Sequence, residues 1–160
     1  MRTLLRGTAI GIVLVLTMIG TAQGATTRIP FTAVSTLIGV PSGGVEKDAG
    51  NTWHVRGMVL VYSQISSEPM IEGTMTVTVD FVFGGPKGQG NAMHGVEVLQ
   101  PSAYPGEWFS CTFNGGWDKD GVMQADDRCI GFGDHLAGWQ FRSHISAESG
   151  VSGILFRPGE

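Results

Sequence analysis

Five charged side chains fall inside short segments of this sequence that have the composition of β-strands, and they are Arg56, Glu72, His94, Glu97 and Arg142. Arg56 and Glu97 are each spaced to share a strand face with apolar neighbours. Charged groups among apolar neighbours on one face are typical of a ligand-binding interior. A desolvated carboxylate such as Glu97 could act as a general base. Arg56 could bind an anionic or enolate oxygen. These two residues are the candidate catalytic pair.

Glu72, His94 and Arg142 are candidate ligand-binding residues on the same grounds. Trp108 and Trp139 join them, because indole rings often wall apolar pockets and their N–H offers one polar contact. The alternative for the charged residues is that they lie on the outer surface or satisfy one another as ion pairs. The alternative for the tryptophans is that they belong to the core.

Other familiar chemistry is absent from the sequence. Counting from Asp118, glycine and the final acidic ligand do not fall where an EF-hand loop needs them, so a hairpin turn explains Asp118-Lys119-Asp120-Gly121 better. The four histidines have no zinc-motif spacing, and no nucleophile elbow of the form G-x-S-x-G is present. No metal and no cofactor are therefore predicted.

The two cysteines, Cys111 and Cys129, predict a hairpin and its register. If Lys119-Asp120-Gly121 is a three-residue loop with Gly121 in the left-handed conformation, paired residues have numbers that sum to 240. Cys111 then lies opposite Cys129 in a non-hydrogen-bonded pair, where a disulfide can close. One disulfide in the hairpin Glu107–Gly133 would leave neither cysteine free to act as a nucleophile, and it indicates an oxidising compartment.

Side-chain alternation predicts strands throughout the rest of the chain. In Thr74–Phe83, odd-numbered apolar residues alternate with mostly polar even-numbered ones. Seven further strands are predicted, at 28–34, 52–65, 91–99, 107–114, 125–133, 136–147 and 151–157. Residues 39–51 are expected to form an irregular loop, and any helix is expected as one turn near 35–38 or within 101–106. The predicted fold class is all-β, a single antiparallel barrel of about eight strands with one hairpin disulfide.

The N-terminus has the pattern of a signal peptide over residues 1–24, with Arg2 and Arg6 before an apolar run and a small-x-small site at Ala22-Gln23-Gly24. The barrel domain is then 25–160, although retention of the leader as an anchor remains an alternative. Without the leader, the chain has a net charge near −6. We expect a secreted or periplasmic protein with no nucleic-acid partner and no stable membrane span after leader removal. The oligomeric state is left open.

Two sets of residues resemble known families. The passages TRIPFTAVSTLIGV and WHVRGMVLVYSQISSEP, with the glycine pattern from Gly131 to Phe141, resemble a family of small, uncharacterised secreted bacterial β-barrel proteins. The run from Trp108 to Phe141 is similar in its glycines and aromatics to allene oxide cyclase-type barrels. This second resemblance implies an eight-stranded barrel with a lumen and transfers no catalytic residue.

Three functions from different classes remain. The leading hypothesis is an exported protein that binds a small apolar or amphipathic molecule in the barrel. The second is an isomerase or cyclase that folds a flexible apolar substrate in the lumen, and the third is a secreted protein-interaction module. A lumen that contains Glu97 or Glu72 beside Arg56 would favour the enzyme. A lumen lined only by apolar groups would favour the binding protein. A filled interior with an exposed aromatic patch would favour the interaction module.

Overall fold

The computed structural model describes residues 26–84 and 91–158, and most of them are in extended strands. The strands are β1 (Thr27–Ser42), β2 (Val45–Ala49), β3 (Thr52–Ser66), β4 (Gly73–Gly84), β5 (Ala92–Pro101), β6 (Trp108–Trp117), β7 (Met123–Phe132), β8 (Gln140–Ser146) and β9 (Gly150–Arg157). Within the described residues the only helical element is a 3₁₀ turn at Pro69–Ile71. The predicted leader lies outside them.

Consecutive antiparallel pairing closes the sheet into a barrel. From β3 to β9 each strand pairs with the next, and β1 pairs with both β9 and β3 to complete an eight-stranded ring. The ninth strand, β2, lies along β3 next to the end of β1, with Val45 opposite Arg56 just beyond the pair of Ser42 and Val59. The predicted fold class is confirmed.

The β6–β7 hairpin has the predicted register and the predicted turn. Residue pairs sum to 240 from Trp108 and Phe132 to Trp117 and Met123, and Gly121 has a φ of 82°. The side chain of Asp118 stabilises the turn, because its Oδ1 accepts hydrogen bonds from the backbone N–H groups of Asp120 and Val122 at 2.9 and 3.0 Å. Cys111 and Cys129 form a disulfide with their Cα atoms 4.0 Å apart.

One half of the barrel interior is filled. Large side chains with no exposure meet there, and they are Ile71, Leu99, Phe109, Leu136 and Leu155. Leu136 comes from the loop after β7 and closes that end of the barrel. Glu107 holds this loop, since its Oε2 accepts hydrogen bonds from the backbone N–H groups of His135 and Leu136, both at 2.9 Å. We call this the closed end.

Three local predictions are wrong. Residues 39–51 are not an irregular loop, because the long β3 offers hydrogen-bond partners to β1 and β2 along its whole edge. Residues 35–38 are strand for the same reason, and the helical turn begins instead at Pro69, where the side chain of Glu68 accepts a hydrogen bond from Met70 N. Residues 136–139 form a turn that places Leu136 in the core, so β8 begins only at Gln140.

Candidate ligand-binding cavity

The other half of the barrel interior holds a cavity of about 600 Å³. Its apolar lining comes from most of the strands and includes Leu60, Met75, Val77, Val79, Phe81, Met93, Phe113, Trp117, Met123, Ala125, Ile145 and Val151. The turn between β8 and β9 also lines it, at Ala147, Glu148 and Ser149, so the cavity reaches the end of the barrel opposite the closed end. We call that end the mouth.

The alternation of β4 and β5 explains the apolar lining. Met75, Val77 and Val79 are buried on one face of β4, and Met93 is buried on the matching face of β5. Gly95, next on that face of β5, lies opposite Phe113 of β6, and its missing side chain leaves room for the Phe113 ring. A small residue beside a large one lets an aromatic ring lie flat against the wall of a barrel.

Glu97 is the one carboxyl group of the described residues in the inner part of this lining. It is 3 % exposed and lies opposite Val77 on β4 and Cys111 on β6. Behind it, Asp127 of β7 is also 3 % exposed, and its carboxyl group lies close enough to that of Glu97 to share a hydrogen bond. Two buried carboxyl groups this close do not both ionise, because the like charges repel, so the pair carries one proton and one negative charge.

The surroundings of the pair place the proton on Glu97. Asp127 Oδ1 accepts hydrogen bonds from the backbone N–H of Ser143 at 2.8 Å and from its hydroxyl at 2.5 Å, which favours an ionised Asp127. Burial, followed by the charge of Asp127, raises the pKa of Glu97 to about 8. Burial also raises the pKa of Asp127, while the Ser143 hydrogen bonds oppose that rise. At neutral pH, Glu97 is therefore a neutral acid that donates to Asp127.

The disulfide lies beside this pair inside the barrel. Both sulfur-bearing side chains are buried, and Cys129 Sγ is 4.0 Å from Glu97 Oε1. Glu97, Cys111 and Cys129 are close enough in space to resemble a metal cluster. The two sulfurs are bonded to each other and offer no thiolate, so this group would supply a metal with a single good ligand.

Arg56 lies outside the barrel, and its expected place beside Glu97 in the lumen is wrong. A β-bulge interrupts β3 between Val55 and Met58, and it is stabilised by Asp80 Oδ1, which accepts a hydrogen bond from Gly57 N at 2.7 Å. The extra residue shifts the alternation, so Val55 faces inward with Met58 while Arg56 is exposed.

The three other charged candidates also lie on the outer surface. Glu72 is exposed, and its Oε2 accepts a hydrogen bond from Ser66 N at 3.4 Å. His94 is exposed, with its Nε2 3.7 Å from Asp80 Oδ2. Arg142 is exposed with its guanidinium carbon 5.9 Å from the centre of the Phe156 ring. The structure brings none of them to Glu97, because His94 and Arg142 lie on the outward phase of their strands and Glu72 lies at the end of the 3₁₀ turn, before β4 begins.

The two tryptophans are also away from the cavity. Trp108 is 40 % exposed and stacks on Phe132 outside the barrel, with ring centres 5.6 Å apart. Trp139 is partly buried against the core in the loop before β8. The cavity instead takes its indole from Trp117, near the mouth.

Three polar residues of the site were not predicted: Asp127, Ser143 and Tyr62. Asp127 lies two residues before Cys129, so it had to share the inward face of β7 with that cysteine. Ser143 lies opposite Asp127 on β8. Tyr62 lines the cavity from β3, and burial raises the pKa of its hydroxyl.

Comparison of the chain with models of protein families, with curated proteins and with solved structures finds no match. Among the described residues, no helix has the length and apolar character required to span a bilayer. The disulfide is compatible with an oxidising extracellular or periplasmic compartment.

Proposed function

We propose that this protein is secreted or periplasmic and binds one small apolar or amphipathic molecule inside its barrel. The observation that carries the proposal is the cavity of about 600 Å³ with a mainly apolar lining and one buried carboxyl group. Small-molecule sites are typically pockets of roughly 300–1,000 Å³ with apolar walls and few polar groups that set orientation. The signal-peptide pattern and the disulfide support the compartment.

The size and polarity of the cavity favour binding over the alternatives. In a cavity lined by methionine, valine and phenylalanine, the transfer of apolar ligand surface out of water contributes favourable binding free energy. The interaction module would be favoured by a filled interior, and half of this interior is open. The binding protein therefore accounts best for the open half of the barrel.

An isomerase or cyclase is the second candidate, and the Glu97–Asp127 pair favours it. A carboxylic acid whose pKa is raised to about 8 in an apolar cavity is suited to proton transfer near neutral pH. Arg56 cannot assist it from the outer surface, so an anionic intermediate would have no guanidinium partner. In this candidate, Glu97 would transfer to a bound substrate the proton that it otherwise shares with Asp127.

A pair of matched variants tests the binding proposal. Val77→Phe would fill part of the cavity, whereas Val96→Phe adds the same ring at a position that is 51 % exposed on the outer face of β5. Binding of the neutral fluorescent probe N-phenyl-1-naphthylamine is measured for both variants and the wild type. We expect saturable one-to-one binding by the wild type and Val96→Phe, and at least about tenfold weaker binding by Val77→Phe.

Equal binding by all three proteins would contradict the proposal, because the probe would then lie outside the cavity. Absence of saturable binding by the wild type would contradict it too. Near-ultraviolet circular dichroism of Val77→Phe shows whether the fold is retained. If it is lost, Ala125→Val offers a smaller change at the same lining.

A further inference from the structure

Within the described part of the chain, the charged groups that line the cavity are all acidic. Besides the Glu97–Asp127 pair, the titratable side chains that face the cavity are Tyr62 from β3 and Glu148 at the mouth. Among the described residues that line it, none is lysine, arginine or histidine. Among the described lining residues, an anionic ligand head would find no cation and would meet the negative charge of the pair.

Glu97 also has acceptor capacity that the protein leaves unused. A neutral carboxyl group has one O–H donor and further acceptor positions. Its O–H is committed to Asp127. Within the described chain, no N–H or O–H donates to Glu97, and its nearest other contact is Cys129 Sγ, which has no hydrogen because it is in the disulfide. A buried acceptor that faces a cavity can accept a hydrogen bond from a donor on a ligand.

We propose that the cavity selects apolar molecules with a protonated amine head, which lies at Glu97 against the Glu97–Asp127 pair. This inference rests on the proposed function and specifies its ligand class. One ammonium group brings one positive charge and up to three N–H donors. It would neutralise the single negative charge of the pair without uptake or release of a proton, and it would fill the acceptor position of Glu97. Charge-assisted hydrogen bonds of this kind are stronger than neutral ones.

Three ligands with one chain length separate the contributions of head and tail. Dodecylamine and dodecanoate, each below its critical micelle concentration at pH 7, and dodecanol below its solubility limit compete with N-phenyl-1-naphthylamine for the wild type. We expect dodecylamine to bind at least about tenfold more tightly than dodecanol, and dodecanoate to bind most weakly. Equal affinities for the amine and the alcohol, or tighter binding of the acid, would overturn the inference.

Two variants locate the source of the preference. Glu97→Gln combined with Asp127→Asn removes the buried charge with little change in shape, and we expect it to bring the amine and the alcohol within about threefold of each other. Asp126→Asn removes one charge from the neighbouring, outward-facing residue of β7 and should keep the wild-type order. An amine preference that survives in the double variant would overturn the inference.

The outcomes also separate this inference from the function on which it rests. If dodecanol displaces the probe but the amine has no advantage, the cavity binds apolar molecules and the head-group preference is wrong. If none of the three displaces the probe, the proposed function fails as well. The wild-type order tests the preference by itself, whether or not the double variant folds.

Discussion

Cys129 Sγ lies 4.0 Å from Oε1 of Glu97 in the interior of the barrel. The disulfide therefore does more than join β6 to β7, because it also forms part of the wall behind the acidic group of the cavity. The same register that brings Cys129 opposite Cys111 also places Asp127 on the inward face of β7. The covalent bond and the polar site consequently depend on one strand pairing.

Removal of the disulfide should destabilise the barrel. In the chain-entropy model, a bond that joins residues separated by 18 positions contributes roughly 3 kcal/mol. We expect the double variant Cys111→Ala, Cys129→Ala to lose about that free energy of unfolding in urea. Peptide mapping without reductant should find the two cysteines linked in the wild type. Free thiols in the purified wild-type protein, or an unchanged unfolding midpoint in the variant, would contradict this account.

The stability of the protein should fall as pH rises, because of Glu97. Its pKa is about 8 in the folded protein against 4.5 for the free group, so between these values the folded state holds a proton that the unfolded state has lost. Between pH 4.5 and about pH 8, Glu97 therefore lowers the free energy of unfolding by up to about 1.4 kcal/mol for each pH unit. Above that range it adds no further change. The raised pKa of Asp127 acts in the same direction.

Glu97→Gln should flatten this pH dependence. Urea unfolding at pH 5, 6, 7 and 8 measures the slope for the variant and the wild type, and Asp126→Asn serves as the control because its carboxyl is exposed. A wild-type slope that persists in Glu97→Gln would show that Glu97 is not the source.

Gly95 should not tolerate a side chain. A Cβ atom there would lie 2.1 Å from the carbonyl oxygen of Thr78 and 2.9 Å from the ring of Phe113. The oxygen belongs to the neighbouring strand and cannot move without disturbing the pairing, so we expect Gly95→Ala to cost about 1–3 kcal/mol. Gly43→Ala is the control, since a Cβ there meets nothing within 4 Å, and it should change stability by less than about 0.5 kcal/mol. Similar unfolding midpoints for the two variants would be inconsistent with this close approach.

Arg56→Ala should leave ligand binding unchanged. The bulge at Gly57 directs the arginine to solvent, away from the cavity. Titration of the variant with N-phenyl-1-naphthylamine should give the wild-type affinity within about twofold. A loss comparable to that expected for Val77→Phe would mean that the arginine reaches the ligand after all.

The sequence predicts the barrel and the inward position of Glu97 because apolar and polar residues alternate strictly along the strands. Glu97 is in phase with Met93 and Leu99, so its inward position follows from the spacing. Simple alternation places Arg56 inward too, but the bulge at Gly57 reverses the phase. Gly57 is an isolated glycine inside the strand pattern with a φ of 66°, and a glycine at such a position is the sequence signal of a bulge. The sequence pattern therefore predicts one member of the proposed catalytic pair and misplaces the other.

Other errors could have been avoided by counting from the disulfide, because residues an even number of positions from Cys111 or Cys129 on the same strand face inward with it. Trp108 is an odd number of residues from Cys111 and so lies on the opposite face, whereas Phe109 shares the inward face. Asp127 is two residues from Cys129, so the same count predicts that it faces inward. The turn at Leu136 is different, because its place in the core depends on tertiary contacts with strands that are distant in sequence.

Methionine methyl groups provide the most direct test that the cavity binds a ligand. Met75, Met93 and Met123 line the cavity, whereas Met70 lies in the 3₁₀ turn at the closed end. In protein labelled with ¹³C at methionine methyl groups, titration with dodecanol should shift the signals of the first three and leave Met70 unchanged. Signals from the three cavity methionines that stay fixed at saturating dodecanol would contradict binding inside the barrel.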